Sequence, residues 1–458
     1  MREGNLDAPT RHPLDWRNPE FYDGARIDHE MERVFDICHG CRRCVSLCNA
    51  FPTLFDLIDE GKTGELDGVD KRDFQKVVNQ CYLCDVCYMT KCPYVPPHPW
   101  NVDFPHLMLR AKAANFKAGK VRRADRILSS TDALGKLAGI PVVVEIANAA
   151  TRSPALRKSM QAVLHVHPEA RLPEYHADRF RDGARPGIAH PTRNGTNSPG
   201  KVAIFSTCFV NYNDPGVGRD LVQVLEHNEI PYVFAQQEVC CGMPKLEVGD
   251  LESVEKLKAI NVPQLAALAR EGYAILAPIP SCTLMFKQEL PLMFPDDAEV
   301  RAVEAAMFDP FEYLVARFKD GLLRTDFKQG LGRVSYHIPC HLRVQNVGQK
   351  TREALQLIPD TEVTTVERCS GHAGTWGVKQ EFFEVAMKIG RPVFRQMAGA
   401  NPDWISSDCS LAGMHIEQGI ARHPPPAPKA ESADAPPAAT KAARKAHPLT
   451  LLRIAYGL

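Results

Sequence analysis

Eight cysteines between residues 38 and 92 constrain this chain more than any other feature. They form two copies of one pattern, "CHGCRRCVSLC" and "CYLCDVCYMTKCP", in which a C-x-x-C-x-x-C triple is followed by a fourth cysteine. In two-cluster ferredoxins the fourth cysteine of each run ligates the other cluster. The pattern therefore predicts two interlocked [4Fe–4S] clusters, one held by Cys38, Cys41, Cys44 and Cys92, the other by Cys81, Cys84, Cys87 and Cys48.

A pair of zinc sites is the alternative interpretation of these motifs. Zinc sites usually show cysteine pairs such as C-x-x-C, whereas each run here is a triple with a trailing fourth cysteine. The segment between the runs has helical apolar spacing on either side of a Gly-rich turn, and it is too long for a compact β-ferredoxin linker. Residues 1–118 therefore resemble the all-helical ferredoxin domain of succinate dehydrogenase-type iron–sulfur subunits.

Composition excludes some classes of function. The chain has 55 basic and 55 acidic residues, so it lacks the electrostatic footprint of a nucleic-acid partner. Its first residues contain no apolar leader, and the most apolar stretch, residues 138–150, is too short to span a bilayer. The chain has fifteen cysteines and no sign of a secretory leader, so we expect it in the cytosol. Because the cytosol keeps thiols reduced, these cysteines indicate metal ligands or redox centres and not disulfides. We expect a cytoplasmic protein, and peripheral contact with the inner face of the cytoplasmic membrane is left open.

From residue 201 onward short apolar runs alternate with helical stretches, and the alternation occurs twice. This indicates parallel sheets covered on both faces. Ligands of open parallel sheets bind outside the carboxyl ends of the strands, so cysteines at those ends should meet in one crevice. The start of the following helix should also favour their thiolate form. The runs are "KVAIFSTC", "PYVFAQQEVCC" and "YAILAPIPSC" in the first copy, and "RVSYHIPC", "TEVTTVERC" and "DWISSDC" in the second.

The predicted fold class is α+β and multidomain, with an all-helical two-cluster ferredoxin domain followed by two α/β parallel-sheet cysteine-rich repeats. A Pro- and Ala-rich stretch cannot build a core and predicts a disordered tether, and the apolar residues after it need cover on their own domain or on a partner. The expected boundaries are 1–118 for the ferredoxin-like domain, 119–200 for a helical segment and connector, 201–331 and 332–420 for the repeats, 421–447 for the tether and 448–458 for the docking peptide.

The stretch "VCCGMP", with Cys208 before it and Cys282 after it, resembles the cysteine-rich CCG domain. Heterodisulfide reductase and the C subunit of anaerobic glycerol-3-phosphate dehydrogenase contain this domain in tandem, and in the family of that C subunit it follows a two-cluster ferredoxin domain. The resemblance spans roughly residues 30–420. It implies an electron carrier, cytosolic or membrane-associated, that passes electrons from a flavin dehydrogenase towards a quinone or disulfide acceptor.

The chain departs from the full family motif, which ends in C-x-x-C. The first position of that pair is Ile279 in one repeat and Ser406 in the other. Repeat 1 is therefore one cysteine short of the five that the non-cubane cluster of the reductase family uses, but four thiolates can still hold a third iron–sulfur cluster. The alternative is that its paired cysteines are only small buried hydrophobes. The four candidate ligands are Cys208, Cys240, Cys241 and Cys282.

Repeat 2 has lost a further cysteine, because Ser370 stands where the paired one would be. His337, His341 and His372 lie close in sequence to the three that remain. Three thiolates and an imidazole match a structural zinc site, so zinc is our hypothesis for this repeat. A vestigial empty site and a cluster with a histidine ligand are the alternatives. The predicted ligands are Cys340, Cys369, Cys409 and His372.

The predicted function is that of an iron–sulfur electron-transfer subunit. No nucleotide-binding glycine fingerprint stands out, so a flavoprotein dehydrogenase or other redox subunit must supply electrons. The ferredoxin clusters would relay them to repeat 1 and on to a quinone or similar acceptor, with a membrane surface as a further partner. The alternatives are a disulfide reductase that acts at repeat 1 and a structural or assembly protein with inert metal sites. No catalytic residue is assigned.

Overall fold

The computed structural model of the chain describes residues 8–424 and 443–458. Its N-terminal domain is helical, and buried aromatic rings hold the helices together. Phe35 packs edge-to-face on Phe74 with ring centroids 5.1 Å apart, and Phe51 packs on Phe104 at 4.7 Å. The helices of this domain are α1 (Gly24–Cys41), α2 (Ala50–Asp59), α3 (Phe74–Gln80), α4 (Val86–Thr90) and α5 (Phe104–Lys117).

Four short helices follow and pack into a small bundle, in which each helix contacts the next and the first contacts the last. The connector after the bundle runs back over both repeats. Val166 forms an antiparallel bridge with Lys379, and Gly187 forms one with Tyr232. The bundle consists of α6 (Arg123–Leu128), α7 (Thr131–Ala138), α8 (Val143–Arg152) and α9 (Pro154–Leu164).

Repeat 1 is a parallel sheet of four strands in the order β2–β1–β3–β4. Its central strands are fully buried because helices cover both faces. Its elements are β1 (Val202–Ile204), α10 (Cys208–Tyr212), α11 (Pro215–His227), β2 (Tyr232–Phe234), α12 (Met243–Glu247), α13 (Leu251–Arg270), β3 (Ala274–Leu276), α14 (Pro280–Leu284), a π-helical turn (Met285–Glu289), α15 (Leu290–Met293), α16 (Ala298–Ala306), β4 (Met307–Phe308) and α17 (Pro310–Lys319).

Repeat 2 repeats this topology with the strand order β6–β5–β7–β8, again entirely parallel. The expectation of two parallel α/β repeats is thereby confirmed. The elements of repeat 2 are β5 (Gly332–His337), α18 (Cys340–Arg343), α19 (Lys350–Leu355), β6 (Thr361–Val366), α20 (Phe383–Gly399), β7 (Trp404–Ser407), α21 (Ser410–Arg422), β8 (Arg444–Ala446) and α22 (Pro448–Tyr456).

The predicted tether over residues 421–447 is wrong at its C-terminal end. Arg444–Ala446 is an edge strand that pairs in parallel with Trp404–Ser406, and the Arg444 guanidinium stacks over the Trp404 ring. The sequence "RKA" has no apolar signal because an edge strand buries little of its side-chain surface. At the other end, α21 continues to Arg422. The rest of the predicted tether, residues 425–442, lies outside the described residues.

Each repeat sends its last helix to the other repeat. Helix α17 of repeat 1 packs on α19 of repeat 2, and α22 of repeat 2 packs on α11 of repeat 1. Polar contacts hold α22 in place: the Arg453 guanidinium lies 2.7 Å from the Asp220 carboxylate, and the Tyr456 hydroxyl donates to the Arg324 carbonyl. The apolar C-terminal residues therefore have cover within the chain itself.

One hydrophobic core connects the N-terminal domain with both repeats. Trp16 marks the junction, because its indole N–H donates to the Met293 carbonyl of repeat 1 at 3.0 Å. Among the described residues, no single helix is long and apolar enough to cross a membrane. Helices α7 and α8 meet that test only when taken together, and they are bent by 111° relative to each other.

Candidate iron–sulfur sites

The first N-terminal cysteine group lines one pocket. Cys38 and Cys41 lie in the last turn of α1, and Arg42 ends that helix in a left-handed conformation with φ of 51°. The chain then turns back, so that Cys44 faces the same pocket. The fourth cysteine in its wall is Cys92, from the second motif. The structure thus brings together the four residues that the interlocked assignment requires, and the assignment itself stays a prediction.

The second group forms around the turn between α3 and α4. Leu83 and Asp85 both adopt left-handed φ values, 54° and 59°, which wrap the C-x-x-C-x-x-C segment tightly. The Asp85 carboxylate is anchored by the Arg11 guanidinium at 2.6 Å. The four thiols of this group act electrostatically on one another, and the fourth comes from the first motif. They are Cys81, Cys84, Cys87 and Cys48.

Burial governs the protonation of these thiols. It raises the pKa of Cys44 to about 12 and raises those of Cys38 and Cys87 well above their usual range, and neighbouring thiols add to each rise. Several thiolates therefore cannot coexist here without nearby positive charge. Iron supplies such charge, and thiolate sulfur is the ligand that iron–sulfur clusters take. The donor set and its burial fit the expected clusters.

In repeat 1 the four predicted cysteines form a contiguous chain of sulfur atoms. Cys208 begins α10, Cys282 lies in the first turn of α14, and the pair Cys240–Cys241 lies in the loop before α12. Hydrogen bonds connect Cys208 to Cys240, Cys240 to Cys241, and Cys241 to Cys282. The convergence expected at the carboxyl ends of the strands is present, and four sulfurs face one another.

The expected helix-terminus effect on these thiols is outweighed. Hydrogen bonding with Cys240, followed by burial, raises the pKa of Cys208 and Cys241 despite their place near helix starts. Cys240 is the exception in repeat 1: hydrogen bonds from Cys208 and Cys241 and from the Gly242 amide lower the pKa of its thiol well below the usual range. Hydrogen bonds between neighbouring sulfurs are thus the largest influence on the pKa of these three thiols.

Thr131 is a site residue that the sequence analysis missed. Its hydroxyl lies 3.3 Å from the Cys208 sulfur and 3.5 Å from the Cys240 sulfur. It starts helix α7 of the bundle, in a segment where no motif pointed to chemistry. Lys245 of repeat 1 also contacts this segment, because its ammonium donates to the Ser129 and Ser130 hydroxyls just before α7. Only tertiary packing brings this segment to repeat 1.

In repeat 2 the three remaining cysteines also approach one another. Cys340 begins α18, Cys409 caps α21, and the charges of Cys369 and Cys409 both act on Cys340. Burial raises the pKa of all three thiols, that of Cys409 to about 11. Ser370 is buried at the position that corresponds to Cys241.

Two of the three candidate histidines of repeat 2 use both ring nitrogens in contacts with groups other than the cysteines. His337 uses both ring nitrogens, against the Ser407 hydroxyl and the Arg368 carbonyl. His341 does the same with the Ser281 hydroxyl and the Leu83 carbonyl. The His372 ring faces His415, at 6.2 Å between centroids, and burial together with that neighbour lowers the pKa of His372 to about 3. A neutral His372 remains the best candidate among the three for a metal ligand.

The described cysteine groups are not arranged to bind a single metal ion. Within residues 8–424 and 443–458, no three His, Cys, Asp or Glu side chains are arranged around one metal ion. A [4Fe–4S] cluster places each thiolate on a different iron, so this arrangement does not count against cluster ligands. It gives no support to zinc at Cys340, Cys369, Cys409 and His372, which stays a prediction.

The second N-terminal group adjoins repeat 2. The Tyr82 hydroxyl, within the second motif, lies 3.1 Å from the Cys369 sulfur, and the Cys340 and Cys369 thiols act on Cys84. The Tyr82 ring also packs on Trp376 of repeat 2, at 5.2 Å. The two repeats then meet through the contact between Ser281 and His341. The cysteine groups therefore form a continuous series through the molecule.

The missing cysteines of the family motif are replaced by residues with structural roles. Ile279 is buried at the start of α14. Ser406 lies in β7, and its hydroxyl donates to the Ala446 carbonyl of β8 at 2.8 Å. Neither position offers a fifth thiol to its repeat, so the disulfide reductase alternative lacks the ligand set on which it depends.

Comparison with known proteins agrees with this architecture. A family model described as the cysteine-rich domain matches twice, at residues 202–287 and 334–417. The C subunit of anaerobic glycerol-3-phosphate dehydrogenase from Escherichia coli K12 is 29% identical over 327 residues, 70% of this chain and 80% of that protein. The B subunit of fumarate reductase (CoM/CoB) from Methanothermobacter marburgensis is 30% identical and covers 50% of this chain and 44% of that protein. Lactate utilization protein A of Bacillus cytotoxicus is 30% identical and covers 39% of this chain and 75% of that protein.

The matches coincide with the structural repeats, since each contains the first three strands of one sheet and the cysteines at their ends. The relatives include subunits of a dehydrogenase and of a reductase. This supports iron–sulfur electron transfer together with a redox partner. The chain belongs to the family of iron–sulfur proteins that carry two copies of the CCG cysteine-rich domain.

Proposed function

We propose that this protein is the electron-transfer subunit of an oxidoreductase complex, which accepts electrons from a flavoprotein dehydrogenase and passes them to a quinone or similar acceptor. Its N-terminal cysteines would hold two [4Fe–4S] clusters, and the four cysteines of repeat 1 would hold a third iron–sulfur cluster. Bound clusters would supply one-electron carriers at these positions. The need for a donor protein rests on the absence of a glycine fingerprint for flavin or nicotinamide in the sequence.

The observation that carries this proposal is the continuous series of cysteine groups. The pocket at Cys38 lies at one end, and the second N-terminal group follows it. Tyr82 then connects that group to Cys369 of repeat 2. Repeat 2 in turn contacts repeat 1 at Ser281. We therefore place repeat 2 between the N-terminal groups and repeat 1, whereas the sequence alone suggested a direct step to repeat 1.

Part of the series is shielded from water, although most of its cysteines are partly exposed. Cys240, Cys241 and Cys282 are each less than a tenth exposed, and Tyr82 is buried against Trp376. A dry, packed environment limits reorganisation around bound redox groups and protects them from oxidants. The buried Lys112 ammonium donates to the Cys81 carbonyl and lies near Glu247, so positive charge is held beside the second N-terminal group.

The first test is the metal and acid-labile sulfide content of anaerobically purified protein, with electron paramagnetic resonance before and after dithionite. About eight irons would support the two N-terminal clusters, and about twelve would add the cluster in repeat 1. One zinc in addition would support the hypothesis for repeat 2. Two results would overturn the electron-transfer proposal. One is protein that contains zinc but neither iron nor acid-labile sulfide, and the other is protein whose clusters dithionite does not reduce.

The order of the series has its own test, the variant Tyr82→Phe. The aromatic ring would stay in place while the hydroxyl contact with Cys369 is lost. We expect unchanged iron content but slower transfer from the dithionite-reduced N-terminal domain to an artificial quinone, followed by stopped-flow spectroscopy. Tyr88→Phe is the matched control, because that hydroxyl donates to the Thr10 carbonyl within the N-terminal region. Equal rates in both variants would remove Tyr82 from the route.

A further inference from the structure

A side chain from the α6–α9 bundle reaches the sulfurs of repeat 1. The Thr131 hydroxyl lies 3.3 Å from the Cys208 sulfur and 3.5 Å from the Cys240 sulfur, which are hydrogen-bond distances for sulfur. Thr131 lies outside both matches of the cysteine-rich family model, since the first of them begins at residue 202. The contact is therefore separate from the cysteine motif of the domain, and the bundle brings it to repeat 1 from outside.

Two contacts hold the start of α7 against repeat 1. The Lys245 ammonium of α12 donates to the Ser130 hydroxyl, immediately before Thr131, at 2.9 Å. One turn further along α7, Gly135 lies so close to the Tyr212 ring of α10 that an added Cβ would be 2.3 Å from a ring carbon. The helix therefore approaches repeat 1 as closely as a glycine permits, and this approach keeps Thr131 beside the two sulfurs.

The hydrogen bonds among the sulfurs depend on thiol protons, whereas the bond from Thr131 does not. The contacts of Cys240 with Cys208 and with Cys241 exist only while one sulfur of each pair is protonated. Iron takes thiolates as ligands, so cluster binding displaces those protons. The Thr131 hydroxyl keeps its own proton and then faces two acceptors. Together with the Gly242 amide, which donates to Cys240, it is a donor that remains when the site is loaded.

The direction of its effect follows from charge. A hydroxyl that donates to a sulfur stabilises negative charge on that sulfur. The thiols already show this: the hydrogen bond with Cys240 and burial raise the pKa of Cys208, and the Thr131 hydroxyl opposes that rise. A reduced cluster carries one more negative charge than an oxidised one, and hydrogen bonds to its sulfurs help to set its reduction potential. The hydroxyl therefore favours the reduced state.

We propose that Thr131 tunes the centre in repeat 1, because its hydroxyl donates a hydrogen bond to the Cys208 or Cys240 thiolate and thereby raises the reduction potential of a cluster bound there. This role rests on the third cluster of the proposed function. Thr131 supplies no ligand and acts on the cluster through the sulfurs that it contacts. A raised potential makes repeat 1 the favoured destination for an electron that enters the series at the N-terminal groups.

The test is a redox titration of the anaerobically purified full chain, followed by electron paramagnetic resonance. The signal of repeat 1 is the one that the Cys241→Ser variant lacks. Thr131→Val keeps the shape of the side chain but removes the hydroxyl. We expect it to lower the ratio of reduced to oxidised cluster about tenfold at a fixed solution potential, a shift of about 59 mV for one electron.

Two further variants identify the hydroxyl as the cause. Thr131→Ser keeps a hydroxyl and should retain the wild-type potential. Thr151→Val is the matched control, because the Thr151 hydroxyl lies in the same bundle but donates to the Asn148 carbonyl at 2.8 Å. After exchange into D2O, electron–nuclear double resonance of the reduced signal should show a deuteron coupling that Thr131→Val lacks and Thr131→Ser retains.

The iron content separates failure of this role from failure of the proposed function. About twelve irons, with a potential in Thr131→Val that equals or exceeds the wild-type value, would overturn the role of Thr131 and leave the third cluster in place. A Thr131→Ser variant that behaves like Thr131→Val, or an equal shift in Thr151→Val, would also overturn it, because packing would then be the cause. So would loss of iron from Thr131→Val, since Thr131 would then be needed to hold the cluster. About eight irons in wild type, with no signal that Cys241→Ser removes, would overturn the third cluster and the role of Thr131 with it.

Discussion

The two cysteine-rich repeats share one sheet topology but differ in the atoms they place at the carboxyl ends of their strands. Repeat 1 presents four sulfurs linked in a chain from Cys208 to Cys282, whereas repeat 2 presents three and a buried serine at the position of Cys241. The strand orders β2–β1–β3–β4 and β6–β5–β7–β8 are equivalent, so the loops at the carboxyl ends of the strands converge in the same way in both sheets.

This difference shows how the fold and its chemistry are divided. The parallel sheet fixes where four ligand positions lie, and single side chains decide what those positions can bind. Repeat 1 adds a donor from outside its own fold, since Thr131 of the bundle contacts its sulfurs. Repeat 2 receives Tyr82 from the N-terminal domain in the same way. Each site is completed by a different neighbour, which gives the two repeats different places in the series.

The largest predicted effect is a loss of bound iron when one cysteine of repeat 1 is replaced by the serine that repeat 2 has at the same position. The variant Cys241→Ser replaces a sulfur that lies between Cys240 and Cys282. Since a hydroxyl is a poor cluster ligand, we expect a loss of about four irons per chain, measured by metal and sulfide analysis. Ser370→Ala, at the same position of repeat 2, is the control and should keep the wild-type iron content. Equal iron in both variants would contradict a cluster in repeat 1.

A smaller change should follow from removing the imidazole of repeat 2. If the repeat holds zinc, His372→Ala should lower bound zinc by about one ion per chain and leave iron unchanged. Of His337, His341 and His372, the first two already use both ring nitrogens in hydrogen bonds to neighbours. Elemental analysis of both metals measures this. The exposed His12→Ala variant serves as control, and unchanged zinc in His372→Ala would sink the zinc hypothesis.

We expect the exchange of final helices between the repeats to contribute to the free energy of unfolding. Leu452 lies in α22 and is buried, and α22 packs mainly on α11 of repeat 1, so Leu452→Ala should lower the free energy of unfolding by about 2–5 kcal/mol. Leu458→Ala changes an exposed residue of the same segment and should cost less than about 0.5 kcal/mol. Denaturant unfolding of both variants measures the contrast. Similar midpoints would show that α22 contributes little to holding the repeats together.

The smallest effect depends on pH and concerns Glu247, whose charge acts on Cys240 of repeat 1 and on Cys340 of repeat 2. Burial raises the pKa of its carboxyl from 4.5 to about 7, against the opposing effects of Lys112 and Lys379. Ionisation in the folded state therefore costs stability, and that cost is absent below about pH 4.5 and complete above about pH 7.

Glutamine carries no such cost. Glu247→Gln should therefore gain stability relative to wild type between pH 5 and pH 8, by at most about 3 kcal/mol, as followed by thermal unfolding across that range. The exposed Glu362→Gln variant should show a flat difference over the same range. A flat difference in Glu247→Gln as well would contradict the raised pKa.

Local pattern was enough to predict much of this architecture. Strands that end in cysteine are short, apolar and separated by helices, so both parallel repeats followed from the sequence. The doubled triple motif also predicts that Cys92 joins the first run and Cys48 the second; these cysteines lie near those runs, and the assignment to two clusters stays a prediction. These features depend on residues close in sequence or on a repeated motif.

Features that depend on tertiary packing were not predictable in this way. Strand β8 is a polar tripeptide that becomes a strand only because Trp404–Ser406 offers an open edge. Thr131 has no motif around it, and its role follows from how α7 packs on α10. The protonation of Cys208 and Cys241 also depends on packing, because hydrogen bonding with Cys240 and burial raise the pKa of both thiols, opposite to the direction expected from their place near helix starts.

The exchange of final helices has a consequence for how this chain is made. Helix α22 is synthesised about 220 residues after α11, the helix that it covers. At ordinary rates of translation that interval lasts roughly 10–45 s. During this time the side of α11 that packs on α22 has no cover from its final partner, so repeat 1 cannot reach its native packing on the ribosome before the second repeat has emerged. The synthesis of α22 thus sets the earliest time at which repeat 1 can complete its packing.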